Sequence, residues 1–103
     1  MEHITEEAVT QYIRETVRSA GGRLEEMERF AAGRHIPIIQ REAGRFLCVL
    51  VGMLAPERIL ELGTAIGYSA LLMAQSCAAQ ITSIERDEEM FCMALDNVAA
   101  CGM

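Results

Sequence analysis

A chain of 103 residues holds one small domain at most, and its formal net charge of −6 argues against a general electrostatic grip on nucleic acid, which needs clustered Lys and Arg. Hydrophobic residues make up 51% of it, enough for a core, yet the longest apolar run, residues 46–55, stops at Pro56 and is too short to span a bilayer. The acidic N-terminus has no apolar signal segment, and Cys48, Cys77, Cys92 and Cys101 show neither C-x-x-C nor Cys/His metal spacing, so the chain reads as a protein of the reducing cytoplasm without a membrane partner.

Thr5 is a good N-cap for a first helix, with Glu6 and Glu7 in its first turn and Ile4 and Val9 placed to staple it. Val9, Tyr12, Ile13, Val17 and Ala20 follow helical spacing until Gly21-Gly22 ends the run. A second helix is predicted over residues 24–32, with Leu24, Met27, Phe30 and Ala31 on one face and Gly33 as its stop. Pro37 forces Ile36 out of the helical region, so residues 35–39 should be extended. A third helix follows over 41–54, its apolar positions Ala43, Phe46, Leu47, Leu50, Val51 and Leu54. Strands are predicted over 58–62 and 81–84, with a helix over 68–77 between them. Asp87 caps a last helix that buries Phe91, Ala94, Leu95 and Val98 and stops at Gly102. The methionines, Met27, Met53, Met73, Met90 and Met93 among them, sit at core spacing, and the helical cysteines read as small apolar residues.

The chemistry concentrates between the two strands. Ile59-Leu60-Glu61-Leu62 runs into Gly63-Thr64-Ala65-Ile66-Gly67 and then into an apolar helix at Tyr68. In a parallel α/β sheet such a strand–turn–helix lies at the carboxyl end of a strand, where ligands bind. The helix start offers free N–H groups to an anion. Glu85 follows Gly63 by 22 positions, at the end of the second strand, where a carboxylate can reach two ribose hydroxyls. A dinucleotide fingerprint, G-x-G-x-x-G, would place Gly63, Ala65 and Tyr68, and Tyr68 is too large for the third position. That disfavours a nicotinamide-dependent oxidoreductase.

The series Glu61-x-Gly63-x-Ala65-x-Gly67 resembles motif I of the class I S-adenosylmethionine-dependent methyltransferases, and its extension Tyr68-Ser69 is similar to the O-methyltransferases that include catechol and caffeoyl-CoA methyltransferases. The likeness is greatest to small bacterial members, some of which methylate a hydroxylated wobble uridine of tRNA. It implies an α/β fold: a helical region over 1–55, then over 56–103 the first β-α-β-α of a Rossmann-like sheet, the front half of a longer domain.

The resemblance implies S-adenosylmethionine as cofactor. The backbone around Gly63, Ala65 and Gly67 would approach its methionine part. Ser69 would hold its carboxylate, Glu61 would organise the turn or meet its ammonium group, and Glu85 would take both ribose hydroxyls. Ile84 and Arg86 would flank the adenosine, and Ile39 would touch the methionine end. Tyr68 would pack against the ligand or the core, while His35 has no evident partner. A divalent metal such as Mg, its ligands and a catalytic Lys belong to parts of the family's sequence not matched here, so catalytic residues stay unassigned and no metal ligand is expected. The reaction implied is methyl transfer to a hydroxyl of a small molecule or a tRNA uridine. The alternative is an inactive, self-associating α/β module. Either way the unpaired edge of the first strand points to a homodimer.

Overall fold

The computed structural model describes residues 6–18 and 21–103. Along the chain come α1 (Glu7–Thr16), α2 (Gly22–Gly33), α3 (Arg41–Leu54), β1 (Arg58–Leu62), α4 (Tyr68–Ser76), β2 (Gln80–Ile84) and α5 (Glu88–Ala100). β1 and β2 pair in parallel, from Arg58 opposite Gln80 to Leu62 opposite Ile84. A parallel pair needs a crossover, and α4 supplies it. Alternation along the strands puts Ile59, Glu61, Ile81 and Ser83 on the half-covered face and Leu60, Leu62, Thr82 and Ile84 on the exposed one.

α4 is the centre of the core. Its residues are apolar on nearly every side, as a helix enclosed by neighbours requires, and Tyr68, Leu71, Leu72 and Met73 are buried. Leu24, Met27 and Ala31 of α2 pack with Ile66, Tyr68, Leu71 and Leu72. α3 crosses α4 closely at Gly44, where a Cβ would stand 2.9 Å from Leu72 Cδ1. α3 ends at Ala55 in the left-handed region, φ 45°, whose N–H donates to the Val51 carbonyl at 2.9 Å, and Pro56 prevents continuation. Asp87 caps α5, accepting the Met90 N–H at 3.4 Å.

Several faces differ from the sequence expectation. Thr5, the Ile4–Val9 staple and Ala20 lie outside the described residues; within them α1 ends at Thr16, short of the predicted glycine stop. Its apolar stripe is open: Val9, Tyr12 and Ile13 are exposed. On α3 only Gly44 and Val51 are buried, while Phe46, Leu50, Met53 and Leu54 face outward. Phe30 is exposed and carries the Arg34 guanidinium 4.7 Å above its ring. Phe91 and Leu95 of α5 are exposed, and so is Cys92. Helical periodicity marks a face as apolar, but burial needs a second element packed against it, and the described residues cover these faces only in part. Among the described residues no helix is long and apolar enough to cross a membrane.

Candidate cofactor site

The turn after β1 is pinned to the end of β2. The Gly63 and Thr64 N–H groups both donate to the Ile84 carbonyl, at 2.7 and 3.1 Å. Gly63 has φ 89° and Gly67 φ 92°, values open to glycine and costly for other residues. Ala65 sits at φ 48° nonetheless. Its N–H donates to Glu85 Oε1 at 2.9 Å, which offsets the cost of that conformation. The Gly67 N–H closes the turn on the Thr64 carbonyl at 2.8 Å, and α4 begins at the next residue.

Glu85 is held from two sides. Asp87 N–H donates to its Oε2 at 3.0 Å and Ala65 N–H to its Oε1. These two backbone donors, Asp87 first, hold its carboxyl below the ordinary value of 4.5. Each oxygen has a second acceptor site to spare, so the fixed carboxylate can still take two hydroxyls. Ile84 and Arg86, both exposed, stand on either side of it.

Glu61 points to the half-covered face of the sheet, where its Oε1 accepts the Ser83 hydroxyl at 2.6 Å and its Oε2 accepts the Ser69 hydroxyl. One carboxylate thus ties β1 to β2 and to the first turn of α4. The Ser69 hydroxyl proton is committed to Glu61. What Ser69 offers an anion in this arrangement is its backbone N–H, one of those in the first helical turn that have no intrahelical acceptor.

Beside the turn lies a pocket of about 210 Å³. Pro37, Ile38 and Ile39 form one wall; Gly63, Thr64, Ala65, Tyr68 and Ser69 form the other. Of the residues singled out in sequence, Ile39, Gly63, Ala65, Tyr68 and Ser69 meet here, and Glu85 joins them through Ala65. Gly67 is set back and buried, and a Cβ added there would stand 3.5 Å from Ala94 of α5. Tyr68 is 2% exposed, and its hydroxyl turns away to donate to Glu28 Oε2 at 2.6 Å. Burial, then that bond, raises its pKa. His35 is exposed.

Two polar residues escaped the sequence reading. Buried Asn97 donates to the Ile66 carbonyl at 2.8 Å and accepts from Arg23 Nη2 at 2.8 Å, fastening the turn to α5 and α2. Glu28 lies four residues after Leu24, on the core stripe of α2. A carboxylate in such a stripe needs buried partners, and that was the available signal. Among the described residues no group of three His, Cys, Asp or Glu side chains could hold a metal ion. The described residues therefore do not fit a divalent metal.

Residues 14–103 match the sequence profile of the O-methyltransferase family. The chain is similar to the structure of a protein assigned as a caffeoyl-CoA O-methyltransferase from Staphylococcus aureus: 30% identity, TM-score 0.78, covering 93% of this chain and 45% of that one. An O-methyltransferase from Bacillus cereus, solved in complex with SAH (S-adenosylhomocysteine), matches at 27% identity and TM-score 0.79, over 92% of this chain and 45% of that one. A methyltransferase from Geobacter sulfurreducens shares the fold at 22% identity and TM-score 0.86, over 97% of this chain and 54% of that one. The chain thus spans about half the length of these solved structures.

Proposed function

Because the chain belongs to the O-methyltransferase family, we propose that it provides the cofactor-binding part of an enzyme that transfers a methyl group from S-adenosylmethionine to a hydroxyl oxygen. The observation that carries this reading is the Glu85 carboxylate, fixed by the Ala65 and Asp87 N–H groups next to the 210 Å³ pocket. In this reading the methionine end enters the pocket between Ile39 and Ala65. Its carboxylate meets the N–H groups at the start of α4, where the helix dipole favours negative charge. The ribose hydroxyls donate to Glu85, and the adenine lies toward Ile84 and Arg86. When bound, the cofactor supplies an electrophilic methyl group. This chain's part is to hold the sulfonium end in one orientation so that the acceptor oxygen can approach in line.

The acceptor we favour is a hydroxyl of a small molecule rather than of a tRNA uridine. The net charge is −6, and Arg14, Arg23, Arg29 and Arg41 are each paired with a glutamate. We further propose that two copies associate through exposed apolar surface. Leu60 and Leu62 are 65% and 75% exposed beside the free edge of β1, and a two-stranded sheet is too small to stand alone. Light scattering across a dilution series should give the dimer mass; a monomer at all concentrations removes that part of the proposal. The cofactor reading is tested by calorimetric titration with S-adenosylhomocysteine. The parent chain should bind, and Glu85→Ala should lose about tenfold or more, as expected for removing hydrogen bonds to a charged acceptor. Equal affinity in the two proteins would sink it.

A further inference from the structure

The two walls of the pocket come from distant parts of the chain, yet a single side chain outside the pocket reaches both. Glu28 Oε1 accepts from Arg41, Nη2 at 2.7 Å and Nε at 3.1 Å. Arg41 opens α3, two residues after Ile39 of the first wall. Glu28 Oε2 accepts the Tyr68 hydroxyl at 2.6 Å. Tyr68 opens α4, directly before Ser69 of the second wall. The Glu28 side chain is 16% exposed and that of Arg41 34% exposed, so the junction is partly shielded from water. The Glu28 bond is also the first cause of the raised pKa of Arg41. α2 grips the first wall at a second point: the Ile36 N–H donates to the carbonyl of Ala31, one helical turn beyond Glu28, at 2.9 Å.

We propose that Glu28 is a positioning residue of the cofactor pocket, its carboxylate fixing the separation of the 37–39 wall from the start of α4. The inference rests on the cofactor reading above for the identity of the ligand, but the geometry it describes exists without ligand. A carboxylate suits the place because both partners are donors and it alone accepts from both. A glutamine can replace it with one rearrangement: its oxygen takes Arg41, and its NH₂ donates to a Tyr68 hydroxyl turned round to accept. A leucine can do neither.

The arms can be cut one at a time in the 103-residue chain and followed by amide hydrogen exchange. Tyr68→Phe frees only the second wall, so exchange should accelerate at Gly67 and Leu71, whose N–H groups hold the α4 start, and not at Ile36 or Gly44. Arg41→Met should do the reverse. Glu28→Leu should accelerate all four, and Glu28→Gln should restore them. The Gln80 N–H, bonded to the Glu57 carbonyl beside the sheet, serves as control and should not change. Affinity for S-adenosylhomocysteine should fall about tenfold in Glu28→Leu, the scale of losing a charged hydrogen bond, and recover to within about threefold in Glu28→Gln. Acceleration that spreads equally to Gln80, or single-arm variants that disturb both walls alike, would show a merely structural role and overturn the proposal. If Glu28→Leu does not fold, the two single-arm variants still decide. If the parent binds no S-adenosylhomocysteine, the cofactor reading falls, and the exchange pattern alone judges Glu28.

Discussion

Replacing Gly67 by alanine isolates the backbone contribution of the turn. Gly67 has φ 92° and ψ 8° as the N-cap of α4. The cost for an L-residue in left-handed space is about 1–2 kcal/mol, and φ 92° lies beyond the usual left-handed value near 57°, which favours the upper end. The added Cβ would meet Ala94 Cα and Cβ at 3.5 Å and its carbonyl oxygen at 3.6 Å, ordinary contact that adds no clash. Alanine also narrows the unfolded ensemble, returning about 0.4–1 kcal/mol. The net loss should be about 1 kcal/mol. Urea unfolding should show a lower midpoint at unchanged slope, and Tm should fall by about 4–8 °C. Gly33→Ala is the control of opposite sign: φ there is ordinary and the new Cβ would meet nothing within 4 Å beyond its own stretch of helix, so it should stabilise by about 0.4–1 kcal/mol. A neutral Gly67→Ala would show that the turn is not held in left-handed space. A loss beyond about 3 kcal/mol would mean that α5 cannot accommodate the methyl group, against the 3.5 Å contacts.

Other substitutions test the polar junctions. Glu85 is held below 4.5, first by the Asp87 N–H and then by the Ala65 N–H. The stability it contributes should be complete above pH 4.5 and lost as pH falls through its lowered folded value, so a carboxyl NMR titration should place its midpoint below 4.5. The Tyr68 pKa is raised by burial and by the Glu28 bond, so its contribution should be complete below pH 10.0 and lost as pH rises through the folded value. The stability gap between the parent and Tyr68→Phe should therefore close under strong alkali. Asn97→Leu strands the Ile66 carbonyl and removes one acceptor of Arg23, which keeps Glu26, and should cost about 1–3 kcal/mol in urea unfolding; a smaller loss would mean water replaces the amide.

Elements set by local rules were legible in the sequence. Pro37 and Pro56 restrict the backbone before them, and Gly63 and Gly67 permit the positive φ that a tight turn needs; together they mark the extended segment, the turn and the end of α3. The parallel pairing was legible in the order strand, glycine turn, helix, strand. Side-chain destinations were less legible, because one-dimensional spacing gives a residue's face and not its partner. Tyr68 could be seen to start α4, but its hydroxyl answers to a carboxylate 40 positions away. Ser69 could be seen at the helix start, but not that Glu61, eight positions back, takes its hydroxyl proton.

The same distinction explains how the candidate site is built. In the proposed reading the groups of the site that face the ligand are mostly backbone: the N–H groups at the start of α4 and the close-approaching chain of the turn from Gly63 to Ala65. Its carboxylates act as fasteners. Glu61 joins β1, β2 and α4; Glu85 joins the turn to the start of the loop after β2; Glu28 joins α2, α3 and α4. Three of the fifteen acidic residues are thus placed to brace a pocket whose walls mix Pro37, Ile38 and Ile39 with Thr64, Tyr68 and Ser69. Charge count alone describes an acidic surface, whereas these three are defined by the donors they satisfy. An apolar substitution at any of them, which removes the acceptor, should therefore alter the shape of the site well before it alters the net electrostatics of the chain. Added salt, which screens exposed pairs such as Arg29 with Glu25, should leave these shorter hydrogen-bonded contacts largely intact.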